Sequence, residues 1–192
     1  MQQASSKLGT CGLCLAENIG LCYSDLLPKA VVRWIRMAAE PNQTNPNPLF
    51  VTPNASKPMN YRVAEYLLCP ACEDRLNKGG ETWTLKNSYR GGHTFPLREV
   101  LASARPVYTL TQVRIINARN LPSIDLPRLV YFAASVFWKA SARRWWAVDH
   151  ATQLQFGPYQ DRFRQFLLGG QPFPDRAALL INVSGNRAPH IG

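Results

Sequence analysis

Two pairs of cysteines, each with two residues between them, constrain this chain more than any other feature. Cys11-Gly12-Leu13-Cys14 and Cys69-Pro70-Ala71-Cys72 use four of only five cysteines among 192 residues. Two intervening residues let both sulfurs of a pair bind one tetrahedral zinc while loop amides donate hydrogen bonds to them. The second pair opens a helical stretch, and the positive end of a helix favours thiolate over thiol. Cys11, Cys14, Cys69 and Cys72 are therefore expected to form a structural Zn2+ site. The alternatives are core thiols or a redox pair, and the lack of a strand–helix–strand pattern around either pair weighs against redox chemistry. Cys22 reads as a buried thiol on a return strand.

The chain between the pairs must fold out and come back. Gly20-Leu21-Cys22-Tyr23 suits the return strand of a hairpin, and Ser24 or Asp25 can cap a following helix with Pro28 in its first turn. In that helix Val31, Trp34, Ile35 and Ala38 recur on one face, with Arg33 and Arg36 turned elsewhere. Residues 41–60 carry five prolines (Pro41, Pro46, Pro48, Pro53, Pro58) among asparagines and read as a loop. Tyr66-Leu67-Leu68 leads into the second pair, and the helix from Pro70 is expected to stop near Gly79-Gly80. A knuckle, an excursion and a second pair at a helix start describe a treble-clef type of finger. The fold class expected is α+β: a treble-clef-like four-cysteine finger in residues 1–90, packed with a mainly helical, basic region in residues 91–192.

That second region offers a short helix from Pro96 to Ala104 and a strand from Val107 to Ile116. A long helix is expected from Asp125 to Arg143, capped by Asp125, with Leu126, Leu129, Ala133, Val136, Phe137 and Ala140 on its apolar stripe. Pro158 to Leu168 forms a second amphipathic helix, with Phe163, Phe166 and Leu167 inward and Arg162 and Arg164 outward. Ala178 to Val183 reads as a strand. Arg143-Arg144-Trp145-Trp146 joins basic charge to aromatic rings at a helix end. That suits gripping a phosphate backbone or stacking a base, and equally suits arginines complementing a helix dipole over packed tryptophans.

Lys and Arg outnumber Asp and Glu by 22 to 12, a formal charge of +10, with the second half the more basic. Such an excess fits DNA or RNA as partner, with Arg33, Arg36, Arg143, Arg144 and Trp146 as contacts. The first ten residues are polar, and the longest apolar run, Leu129 to Trp138, is about half a membrane span. A soluble, cytoplasmic chain without membrane contact is expected. His93, His150 and His190 are scattered, and neither glycine pair is followed by the Lys-Ser/Thr of a phosphate loop.

Taken together, Cys11-x-x-Cys14, Ser24-Asp25-Leu26-Leu27-Pro28-Lys29 and Leu67-Leu68-Cys69-x-x-Cys72-Glu73 resemble a group of bacterial HNH-like treble-clef proteins. Ser135 to Lys139, Gly157-Pro158-Tyr159 and Arg162-Phe163-Arg164 also resemble that group's helical C-terminal part. The resemblance implies a nuclease ancestry with a degenerate site. The general-base histidine is replaced by Asp25, no asparagine lies among Val63 to Leu68, and Glu73 stands where a histidine follows the second pair. Asp25 and Glu73, with Glu81, offer hard oxygens for Mg2+, so a divergent endonuclease is the alternative to a binding protein without hydrolysis. A protein-interaction module is the third reading.

Overall fold

A computed structural model of the chain describes residues 7–37, 49–52, 55–58, 63–90, 94–111, 113–147 and 150–183. Strand β1 (Lys7–Gly9) pairs antiparallel with β2 (Ile19–Asp25), and β2 pairs antiparallel with β5 (Ala64–Leu68), giving the order β1-β2-β5. Between β2 and β5 lie helix α1 (Lys29–Met37) and a hairpin of β3 (Leu49–Thr52) and β4 (Ala55–Pro58). The loop expected over residues 41–60 is thus partly wrong. Pro58 ends β4, where a missing N–H costs least, and Pro41, Pro46, Pro48 and Pro53 lie outside the described residues. Ser24 and Asp25 do not cap α1: they are ladder residues of β2, paired with Glu65 and Ala64.

Helix α2 (Pro70–Leu76) does not stop at the glycines. It runs through a wider π-helical turn, Asn77–Glu81, into α3 (Thr82–Ser88). The glycines serve contact rather than termination. A Cβ on Gly80 would lie 2.7 Å from Phe132 N and inside contact distance of Arg128 O, and one on Gly79 would strike the Tyr131 ring. Those residues belong to α5 (Leu126–Ala142), which crosses the π turn at backbone contact. Before it come α4 (Pro96–Ser103) and a two-stranded ribbon of β6 (Tyr108–Thr109) and β7 (Arg114–Ile115), in place of the single strand expected from Val107 to Ile116. After it come β8 (Trp145–Ala147), β9 (His150–Thr152) and α6 (Tyr159–Leu168).

Asp25 loses its capping role, but Asp125 keeps its own, its carboxylate accepting from Arg128 N at 3.1 Å. The buried face of α5 is Leu129, Ala134, Ser135, Trp138, Lys139 and Ser141, and Phe137 from the expected stripe is 48% exposed. The stripe moves because α5 is covered on more than one side, by the π turn and by α6. Phe163 and Leu167 of α6 point inward as expected. Arg164 does not point outward, since its guanidinium reaches Leu13 O at 3.1 Å and its side chain is 16% exposed. Residues 177–183 form no strand, and no sheet edge pairs with them among the described residues. One core joins the cysteine segments to the helices: Cys11, Leu13, Leu67, Leu68 and Leu76 pack with Trp138, Trp145, Phe163 and Leu167.

Candidate metal centre and its surroundings

The knuckle is built by its own amides. Leu15 N donates to Cys11 O and Cys11 N to Ala16 O, both at 2.9 Å, closing the turn that holds Cys11 and Cys14. Leu15 pays for this with a left-handed φ of 63°, a conformation that costs an ordinary residue about 1 kcal/mol. Gly12 N donates to Leu67 O at 2.8 Å, and a Cβ on Gly12 would lie 2.7 Å from the Leu67 side chain, so the knuckle lies flat against β5. Cys69 caps α2 in extended conformation, and Cys72 follows in the first turn. The two segments thereby meet.

The sulfurs of Cys11, Cys14, Cys69 and Cys72 all lie within 4.8 Å of one another, and those of Cys14 and Cys69 are 3.9 Å apart. Four thiolates at about 2.3 Å from a common tetrahedral ion sit about 3.8 Å from each other, so the set has the spacing of a metal site. Cys11, Cys69 and Cys72 are buried, and Cys14 is exposed. Burial opposes ionisation of Cys11, but amide donors, Cys69 N at 3.3 Å among them, outweigh it and hold that thiol at about 7. Burial pushes Cys69 and Cys72 up, Cys72 the more strongly, with neighbouring thiols adding to it. A bound cation is what would make all four thiolates at once. Cys22 lies on β2 outside the cluster, half-buried, with its thiol raised by burial and then by the Glu73 charge.

Beside the cluster sits a feature that sequence patterning did not single out. Lys139 is 4% exposed, its ammonium donates to Asp25 O at 3.0 Å, and burial lowers its affinity for a proton. The charges of Glu81, Glu73 and Asp25 act on it in the opposite direction. Glu81 is pushed up by burial, against the pull of Lys139. Glu73, in the first turn of α2, accepts from Ser24 Oγ at 2.8 Å. Lys139 thus feels the charge of all three carboxylates named from sequence, while its one hydrogen bond is to the main-chain oxygen of Asp25. The only sequence signal for it was the basic end of the SVFWK run, and helical periodicity placed Lys139 off the apolar stripe.

The basic candidates separate. Arg33 and Arg36 are exposed on α1, while Trp34 meets Tyr89 at 5.4 Å between ring centroids; the Ile35 side chain and Ala38 lie outside the described residues. Trp145 is 1% exposed and its indole N–H donates to Lys139 O at 2.8 Å. Trp146 is 57% exposed on the next position of β8, and the Arg144 guanidinium stands 5.8 Å from its ring centroid. Arg143 is exposed and donates to Tyr66 O at 3.1 Å. Arg143 caps the C-terminus of α5, Arg144 bridges to β8, and only the two tryptophans lie on the strand, so the run does begin at a helix end. His93 and His190 lie outside the described residues.

No helix among the described residues is long and apolar enough to cross a membrane. No protein-family model, curated protein or solved structure matches the chain.

Proposed function

We propose that this chain is a zinc-stapled nucleic-acid-binding protein of HNH-like, treble-clef type that does not hydrolyse its ligand. The observation that carries the binding reading is the Arg144–Trp146 pair, a cation stacked on an exposed indole beside Arg143, in a chain of formal charge +10. Exposed arginines attract phosphate, and an exposed indole accepts a base on its face. The treble-clef reading rests on the knuckle joined to the β1–β2 hairpin and the second cysteine pair at the start of α2. Zinc is the ion favoured by four thiolates in a tetrahedral set, because thiolate softness selects it over Mg2+ or Ca2+.

Lys139 supports the absence of hydrolysis. A lysine ammonium bonded to Asp25 O and within the field of Asp25, Glu73 and Glu81 opposes a Mg2+ ion there. The mutual electrostatic influence of those three carboxylates is what favours the runner-up, a divergent Mg2+-dependent endonuclease. A protein-interaction module is favoured by the β6–β7 ribbon, where Val107, Tyr108, Leu110, Val113 and Ile115 are all exposed.

Fluorescence anisotropy with labelled oligonucleotides tests the proposal. Affinity should fall steeply from low to physiological salt, and replacing Arg143 and Arg144 with Ala should reduce the salt slope by about one to two. Absence of binding to DNA and RNA at low salt refutes it. Nicking of supercoiled plasmid in Mg2+ or Mn2+, abolished by Asp25→Ala, would replace it with the endonuclease.

A further inference from the structure

Tyr23 and Tyr66 occupy register-paired positions on β2 and β5, with ring centroids 5.1 Å apart and ring planes inclined by 53°. Ser24, the next residue on β2, is buried and turns its hydroxyl to Glu73 on α2. Successive side chains of a strand point to opposite faces, so the tyrosine pair lies on the face away from α2. Tyr23 is 46% exposed, and Tyr66 is half-buried, packing partly on the core. β8 packs beside β5. Arg143 spans that junction, its guanidinium bonded to Tyr66 O, and the next three residues bring the Arg144 guanidinium, the buried Trp145 and the exposed Trp146 ring.

We propose that Tyr23, Tyr66, Arg143, Arg144 and Trp146 form one strip that binds single-stranded nucleic acid, with bases stacked on the rings and phosphates on the arginines. The inference rests on the nucleic-acid reading above and adds to it the ligand's strandedness and the β2–β5 half of the surface. Duplex bases present only their edges in the grooves, whereas an unpaired strand offers its base faces, and those are what exposed rings recognise. Stacking needs no sequence code, because every base has a π face, so the strip is expected to be tolerant of sequence.

The experiment compares the whole chain, loaded with zinc, for binding to oligothymidylate, oligouridylate and a duplex at low salt. Single strands should bind more tightly than duplex, and the two single-strand arms tell whether DNA or RNA is preferred. Tyr23→Ala and Trp146→Ala should each weaken single-strand binding by about 10-fold or more, with duplex binding nearly unchanged, and Tyr23→Phe should retain affinity. Zinc content and melting temperature are measured on every variant. If Tyr23→Ala disturbs either, Trp146→Ala on β8 and Arg144→Ala just before it carry the comparison. Salt-sensitive binding that prefers duplex, or that ignores these substitutions, overturns the strip and leaves the nucleic-acid reading standing. No binding to any of the three overturns both.

Discussion

Gly80→Ala tests the helix crossing that brings the cysteine helix against α5. The new Cβ would lie 2.7 Å from Phe132 N and 3.0 Å from Phe132 Cβ, with Arg128 O closer still. Two of these are backbone atoms of a helix, so no side chain can swing aside, and α5 must move away by roughly 0.5–1 Å. Overpacking of this kind costs about 1–3 kcal/mol. Against it stands the gain of replacing a helical glycine by alanine, up to about 1 kcal/mol. The net loss, from near zero to about 2 kcal/mol, corresponds to a melting temperature lower by up to about 8 °C for a chain of this size. Differential scanning calorimetry of the zinc-loaded protein reads it directly. Gly79→Ala is the companion, because there the obstacle is the Tyr131 ring, whose hydroxyl donates to Leu167 O at 2.7 Å. Its ring can rotate at the expense of that bond, about 0.5–1.5 kcal/mol, so the loss should be smaller. A Gly80→Ala protein that melts higher than wild type, as an exposed helical glycine would predict, refutes the close crossing.

Cys69→Ser should abolish stoichiometric zinc, read by elemental analysis at about one ion per chain in wild type, and should unfold the β2–β5–α2 region, while Cys22→Ser leaves zinc content unchanged. Arg164→Ala removes the bond to Leu13 O inside the knuckle, and should speed zinc loss to a chelator with little change in secondary structure by circular dichroism. Lys139→Met removes the charge that draws the Glu81 pKa down, so that pKa, already raised by burial, should rise further. A carboxyl raised in the folded state stabilises below its unfolded value and loses that contribution as pH rises through its folded value. Relative to wild type, Lys139→Met should therefore lose stability progressively as pH rises above about 4.5, on top of a constant offset from removing the buried ammonium, and a flat difference in melting temperature would contradict the placement of Glu81.

The cysteine pairs, the Asp125 cap and the inward face of α6 were legible because each depends on spacing or on neighbours within a few residues. What escaped depends on partners remote in the chain. Gly79 and Gly80 look like a helix stop until α5 is known to cross them, and then they are the residues that permit contact. Ser24 and Asp25 have capping chemistry, but pairing with Glu65 and Ala64 claims their backbone for a strand. Lys139 sits off the apolar stripe by periodicity, yet α5 is covered on more than one side, and three acids from β2, α2 and the π turn make its burial tolerable. Ala178 to Val183 has strand composition and no edge to join, so composition alone misassigned it. The Arg143–Trp146 run, expected at a helix end with its tryptophans either packed or open to a base, holds one of each, a difference set by strand alternation in β8.

The four cysteines also divide the chain in a way its covalent order does not suggest. Everything from Leu15 to Leu68 leaves the metal centre and returns to it, and β2 and β5, at the two ends of that excursion, are laddered together. A single peptide-bond cleavage among residues 42–57 would therefore yield two polypeptides that still migrate as one particle, held by coordination, a strand ladder and a shared core. With an ion bound by the four cysteines, integrity across that segment would rest on it together with the ladder and the core. Chelation, harmless to covalent structure, would then loosen the hold between the halves.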